Sequence, residues 1–262
     1  MLSGCRTASA SVADQTFVIE IPVEEPPPLL LSMPTEQGLA FIGVAGIQSS
    51  PQETIRLALE DAARRVAVFY SVSGEFFTEI NIGSGAFDYT HNIFTSLDYD
   101  EEGAKQFVDA LQFNADTDSI EIENALIMRV TYQAALPIPV SYHPVYSGSA
   151  RKPDWVDNPP LSIGDYEVGI GYAGRRSSTA DTCFTSYTNA IFSIIRNINI
   201  KAGAGDLNYQ AAGTFDYKTS SGNFIYAQGS LVNFYVLDTW IDPTTKAVWT
   251  LAIANKSESL YN

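Results

Sequence analysis

Cysteine and histidine are nearly missing from this chain, with two of each among 262 residues. Cys5 and Cys183 imply no disulfide framework. His91 and His143 stand far apart, so metal sites are poorly supplied. A Ser-His-Asp or Cys-His site would have to use one of those histidines, and neither sits in a recognisable nucleophile context. Cations are scarce as well. Fifteen Lys+Arg against thirty Asp+Glu leave a net charge of −15. That argues against nucleic acid as a partner, because phosphate binding needs clustered cations. The acidity itself reads as solubility. No uncharged apolar run reaches the roughly 18 residues of a membrane span.

What is present describes a folded, strand-rich protein: 45% hydrophobic, 12% aromatic, with 18 Gly and 13 Pro. The chain is organised around residues 39–70, which read as strand, glycine-rich turn and helix. The pattern returns about 127 residues later, from Tyr166-Glu-Val-Gly-Ile-Gly-Tyr-Ala-Gly-Arg-Arg-Ser-Ser through Ala190-Ile-Phe-Ser-Ile-Ile195. In this alignment Gly43 matches Gly169 and Ala63 matches Ala190, with one residue inserted between them. A self-match at such a period predicts two copies of one module.

Both helices carry start signals. Ser50, Pro51 and Glu53 make a capping box with proline in the first turn. Ile55, Ala58, Leu59, Ala62, Ala63, Val66, Ala67 and Tyr70 then form one apolar stripe. Glu60–Arg64 and Asp61–Arg65 are i,i+4 pairs that mark an expected solvent face. The second helix has Ser177 or Ser178 as cap, Asp181 near its start, and a stripe of Phe184, Tyr187, Ala190, Ile191, Ile194 and Ile195. Cys183 lies on or near that stripe and reads as a buried structural thiol.

In chain order, residues 1–37 are a tether. Phe17 to Val23 suggests a short edge strand, Glu24-Glu-Pro-Pro-Pro28 a stiff spacer, and Leu29-Leu-Leu31 a segment docking on the first module. The first module spans 38–146. It has strands at 76–82 and 87–94 joined by Gly83-Ser-Gly85, an acidic-fronted helix over 98–113 and a long strand region over 120–135. Residues 147–164, rich in proline and small residues, form a linker. The second module, 165–262, continues from its helix into Ile198–Ile200 and the loop Ala202-Gly-Ala-Gly-Asp206. Strand regions follow at 207–218, 224–242 and 247–253, with turns at Ser220-Ser-Gly-Asn223 and Asp242-Pro-Thr-Thr-Lys246. The order within each module predicts an α+β fold: a strand–helix–antiparallel-strands unit with the helix on one sheet face.

Leu2-Ser3-Gly4-Cys5 fits a bacterial lipobox, with Cys5 as the residue that receives the diacylglyceryl group and a polar stretch behind it. Further along, Lys152-Pro-Asp-Trp-Val, Tyr166-Glu-Val-Gly-Ile-Gly-Tyr-Ala, an alanine-bearing helix and Val236-Leu-Asp-Thr-Trp-Ile-Asp-Pro…Val248-Trp-Thr-Leu-Ala-Ile resemble the LPP-twenty lipoprotein family. The resemblance covers most of the second module. The first shares Phe41-Ile-Gly-Val-Ala-Gly and the helix Ala58 to Ala67, and lacks the Pro-x-Trp and Trp-x-Asp features. It implies a periplasm-facing, membrane-anchored, assembly-forming protein of the small outer-membrane lipoprotein and flagellar-collar kind. No catalytic residue is carried over.

Two literal motifs fail on inspection. Gly169-Ile-Gly171-Tyr-Ala-Gly174 has the Gly-x-Gly-x-x-Gly spacing, but no acid lies in 191–200 where a dinucleotide fold needs one, so tight strand–helix packing is expected. Asn114-Ala-Asp116-Thr-Asp118 hints at a calcium loop, but Ser119 and Ala125 occupy the glycine and glutamate positions, so a polar turn is expected. Paired carboxylates can meet in space without a sequence trace. Trp155, Trp240 and Trp249 are the candidate contact aromatics, the latter two facing each other across a hairpin. The expectation is a non-enzymatic envelope lipoprotein with a structural or assembly role. It would be tied to the membrane through Cys5 and partnered by envelope proteins or by itself, with no cofactor, metal or nucleic acid. The alternative is a periplasmic module that captures a small ligand or glycan between its two halves.

Overall fold

Ser50 caps the first helix as expected, its hydroxyl accepting the Glu53 amide at 3.4 Å. In the computed structural model, which describes residues 37–81, 89–114, 116–138, 140, 142, 145–147, 152–202 and 223–256, helix α1 runs Pro51–Tyr70. It lies on strand β1, Leu39–Gly46, at backbone contact. A Cβ on Gly43 would stand 2.0 Å from the carbonyl oxygen of Ala58. The alanines of the stripe are what let the helix come that close. Ala58, Ala62, Ala63, Val66 and Ala67 are all buried.

The second copy repeats this contact. Strand β9, Tyr166–Ala173, carries helix α4, Thr179–Ala202, and a Cβ on Gly171 would stand 1.8 Å from the Ser186 carbonyl oxygen. Each glycine meets a helix residue fifteen positions on. The structural partner of Gly43 is therefore Gly171, not Gly169, and Ala62 corresponds to Ala190. The sequence alignment, which needed an insertion, was out of register by two residues at the glycines. Gly169 packs under the next turn, against Ala190 and Ile194.

The fold is α+β, with helices on antiparallel sheets. After α1 come strands β2, Val72–Asn81, and β3, Tyr89–Asp98, then α2, Glu101–Phe107, with a 3-10 turn at Val108–Ala110. Strands β4, Ser119–Ile122, and β5, Ala125–Tyr132, follow. Short pieces come next: β6 at Tyr146–Ser147, β7 at Lys152–Pro153, α3 at Asp154–Asp157 and β8 at Ser162–Ile163. β10, Asn223–Ile241, and β11, Val248–Lys256, close the chain. One sheet has the order β1-β5-β4 and the other β3-β2-β10-β11-β9-β8, while β6 and β7 pair separately. β10 bridges the halves: residues 223–231 pair with β2, and residues 231–241 pair with β11.

That bridge changes the expected organisation. One core cluster joins Leu39, Phe41, Val66 and Phe69 to Trp155, Tyr166, Tyr235 and Leu251. Phe41 meets Tyr235 edge-on at 5.5 Å, and the Tyr235 hydroxyl donates to the Ala40 carbonyl at 2.8 Å. Each helix does pack on its own glycine strand, yet the two halves share a sheet and a core. The segment expected as a linker is stitched in too. Trp155 is 1% exposed, and its indole Nε1 donates to Asp238 Oδ2 at 2.8 Å. The Tyr166 hydroxyl donates to the Ile138 carbonyl at 2.9 Å and accepts the Ile138 amide at 3.0 Å.

Other expectations are corrected locally. The strand region at 120–135 is two strands, because Glu123 turns with φ 54° and lets β4 fold onto β5. The helix at 98–113 shortens to α2, begun by the Asp100 carboxylate accepting the Gly103 amide at 2.7 Å. α4 runs through 198–200. Phe184 and Tyr70, placed on apolar stripes, are 55% and 47% exposed. Asp61 and Arg65 do not face solvent. Arg65 Nε donates to Asp61 Oδ2 at 3.0 Å, and the guanidinium lies 4.4 Å from the Tyr187 ring centroid. The pair sits at the free edge of β1, where Asp61 accepts the Val44 amide. β9 is finished similarly: Asn197 and Asn189 of α4 donate to the carbonyls of Val168 and Tyr172, and Ser193 accepts the Ile170 amide.

Candidate functional site

The loop that joins β9 to α4 holds Arg175, Arg176 and Ser177, and Ser178 caps the helix by accepting the Asp181 amide at 3.0 Å. Two other turns meet it there. The β4–β5 turn places Asn124 Oδ1 on the Thr179 amide at 3.4 Å and Glu123 Oε2 on the Thr179 hydroxyl at 3.0 Å. The β10–β11 turn is wound around Asp242, whose carboxylate accepts the amides of Thr244 and Thr245. Lys246 leaves it with φ 61° and reaches Glu123 Oε1 at 3.4 Å. Between the three turns lies an open cavity of about 350 Å³. The Thr179 hydroxyl, then Lys246 and Arg175, hold the Glu123 carboxyl below its usual pKa, so it is charged. Sequence reasoning quoted Arg175, Arg176 and Lys246 without a role. Two adjacent arginines ahead of a helix cap were the available signal, but Lys246 and Glu123 arrive only through tertiary structure.

A second cavity, about 330 Å³, runs between α1 and α2, lined by Glu60, Arg64, Glu101, Lys105 and Tyr99. Its two acids and two bases select no charge. A third, about 10 Å³, lies at the junction of the halves beside Arg65, Tyr187 and Tyr235, with room for about one water. The Tyr187 hydroxyl is buried there without a partner.

The residues singled out in the sequence do not assemble into one site. Cys5 lies outside the described residues, as do His143, residues 17–31, the Gly83-Ser-Gly85 turn and the stretch at 207–218. Trp155 and Trp240 are core side chains at 1% and 9% exposure, so they are not available as contact aromatics. Trp240 and Trp249 do face each other across the β10–β11 register. Trp249 is half-buried and packs 4.5 Å from the ring of exposed Tyr172. Cys183 is buried, and burial pushes its thiol up to about 12.

The glycine motif is structural. Gly169 and Gly171 sit inside an antiparallel strand, and helix backbone fills the space a phosphate would need. At the polar turn, Asn114 Oδ1 accepts the Asp116 amide and Asp118 Oδ2 accepts the Asn114 amide. Compared with protein-family models, curated proteins and solved structures, the chain matches none.

Proposed function

We propose that this chain is a lipid-anchored component of a bacterial cell envelope, acylated at Cys5, with a structural or assembly role and no catalytic step. The observation that carries the reading is Leu2-Ser3-Gly4-Cys5 with the polar stretch behind it, which places a lipobox cysteine at the head of a tether. The resemblance of the second half to LPP-twenty lipoproteins supports it. At β1 and β9, assembly with other envelope proteins or with further copies would use side chains rather than sheet extension, because helix side chains cap the free edges of these two strands. Exposed Tyr172 with Trp249, and Tyr70 stacked 5.7 Å from Phe107, are the aromatic surfaces available for contact.

The alternative, capture of a ligand or glycan between the halves, has room for about one water at the buried junction beside Arg65, and is left with the open cavity of about 350 Å³ where the β4–β5 turn meets the loop before α4. Expression in bacteria tests the anchor. The full-length lipoprotein should partition into detergent and Cys5→Ala should leave it soluble in the periplasm. Equal partitioning of both would overturn the reading.

A further inference from the structure

Several cations of this acidic chain are neutralised by neighbours: Arg56 by Glu53 and Glu60, Arg65 by Asp61, Lys105 by Glu102, Lys152 by Asp157. At the cavity before α4 the balance reverses. Arg175, Arg176 and Lys246 line it together with one carboxylate, Glu123. Glu123 and Lys246 offset each other at 3.4 Å. Asp181, just beyond the rim, already accepts the Ser177 hydroxyl at 3.1 Å. The guanidinium groups of Arg175 and Arg176 have no hydrogen-bond or ion-pair partner among the described residues, and both side chains are exposed. The chain has thirty carboxylates, and none of those described forms an ion pair with either of these two adjacent charges.

We propose that this cavity binds a phosphomonoester group, held by the guanidinium forks of Arg175 and Arg176 together with Lys246 of the β10–β11 turn. The excess of two positive charges matches a dianion. The planar donor fork of arginine pairs with two phosphate oxygens at once, a geometry that a single carboxylate fills less completely. The site does not depend on the helix end, since the Thr179 and Asp181 amides are already taken by Asn124 and Ser178. Its walls are three turns fastened to one another through Thr179, Glu123 and Lys246, so the backbone that carries the arginines is fixed before a ligand arrives. About 350 Å³ lies at the small end of ligand pockets, suited to a headgroup rather than a polymer. The phosphate can belong to a soluble ester or to a lipid, and the proposal does not require the acyl anchor.

The test uses the full chain carrying Cys5→Ala, so that acylation cannot contribute. Calorimetric titration with glycerol 3-phosphate and inorganic phosphate, against acetate, probes the soluble source. Flotation with phosphatidylcholine vesicles containing phosphatidic acid, against phosphatidylglycerol, probes the lipid source. Phosphomonoester binding should weaken at least tenfold in Arg175→Gln/Arg176→Gln, with the melting temperature unchanged because both side chains are exposed. Glu123→Gln removes the opposing carboxylate while keeping an acceptor for Thr179, and should tighten binding several-fold. Binding in either arm that follows this pattern supports the site and identifies its source. Absence of binding in both arms, or affinity indifferent to the arginine pair and to Glu123, overturns it.

Discussion

The Val44 amide donates to the Asp61 carboxylate at 2.9 Å, and the same seventeen-residue step recurs where Asn189 donates to the Tyr172 carbonyl at 2.7 Å. In both halves a helix that lies on a glycine strand also reaches around to satisfy that strand's unpaired edge. The polarity is inverted: Asp61 accepts an N–H, whereas Asn189 supplies one. An aspartate in that position brings a buried charge, and Arg65, one turn later, is there to balance it at 3.0 Å. Burial is the largest influence and opposes the Arg65 charge, but Asp61, Tyr187 and Cys183 together outweigh it and the pKa stays above the usual value.

The consequence is asymmetric. Asp61→Leu strands a buried guanidinium and should destabilise the fold by about 3–5 kcal/mol, while Asp61→Leu/Arg65→Met should recover most of that loss. Urea midpoints at constant m value measure both. Equal stability of the single and double variants would show that the pair is not coupled.

Gly43→Ala and Gly171→Ala each drive a methyl into helix backbone, at 2.0 and 1.8 Å from a carbonyl oxygen. Each should cost about 1–3 kcal/mol or more, because backbone cannot move aside as a side chain can. Gly46→Ala, whose added methyl would meet only Gln48 Nε2 at 4.0 Å, should be near neutral. A thermal melt that ranks the three otherwise would break the proposed equivalence of Gly43 and Gly171.

Much of this was legible from local pattern. Caps, most of each helix stripe and the Trp240–Trp249 hairpin depend on neighbours in sequence and stand where the residues put them, whereas Tyr70 and Phe184 turn outward and the glycine correspondence shifts by two residues. What failed was long-range. Asp61 and Arg65 have the spacing of a solvent-face pair, and only the nearness of β1 and Tyr187 makes them interior. Pro153, Pro159 and Pro160 mark irregular backbone correctly, but irregular is not the same as unpacked, and Trp155 sits among them in the core. The pairing of β2 with β10 joins residues some 150 positions apart. The cavity before α4 needs three turns from three parts of the chain, so Lys246 and Glu123 never appear beside the Arg175–Arg176 pair in the sequence.

Trp155→Phe keeps an aromatic ring in the core but removes the pyrrole part of the indole, and with it the 2.8 Å bond to the buried Asp238 carboxylate. A hydrogen bond to a charged group contributes about 1.5–3 kcal/mol and the smaller ring leaves a cavity besides, so the fold should lose at least an amount in that range. Hydrogen exchange should show residues 152–157 opening more often in the variant. Unchanged protection there would mean that packing alone holds the segment.

Alkaline pH should unfold the protein through its buried weak acids. Burial pushes the Cys183 thiol from 9.0 up to about 12, with Arg65 opposing, and also raises Tyr187 and Tyr235 above the usual tyrosine value of 10.0. Each group binds its proton more tightly when folded. Their contribution is complete below about pH 9 and is lost as pH rises toward 12, since the unfolded chain ionises first. Urea midpoints between pH 7 and 11 should be flat, then fall, and Cys183→Ala should shallow the fall. Stability that rose above pH 9 would contradict the sign.

The edge of β9 supplies the last prediction. From Val168 to Ala173 this strand has β11 on one side and the helix side chains Asn197, Ser193 and Asn189 on the other, one helical turn apart. They bond alternately to a carbonyl, an amide and a carbonyl, as a neighbouring strand would. An exposed row of such groups is a template for pairing with a second chain. Replacing all three by alanine removes three hydrogen bonds at about 1 kcal/mol each and leaves the backbone groups for water or another strand. The triple variant should melt lower and self-associate with rising concentration in sedimentation velocity. Inserting Pro at Ile170, where the amide faces Ser193, should suppress that association while leaving the ladder with β11 intact. A triple variant that sedimented like wild type at every concentration would show that the α4 ladder stabilises the helix contact without guarding the edge.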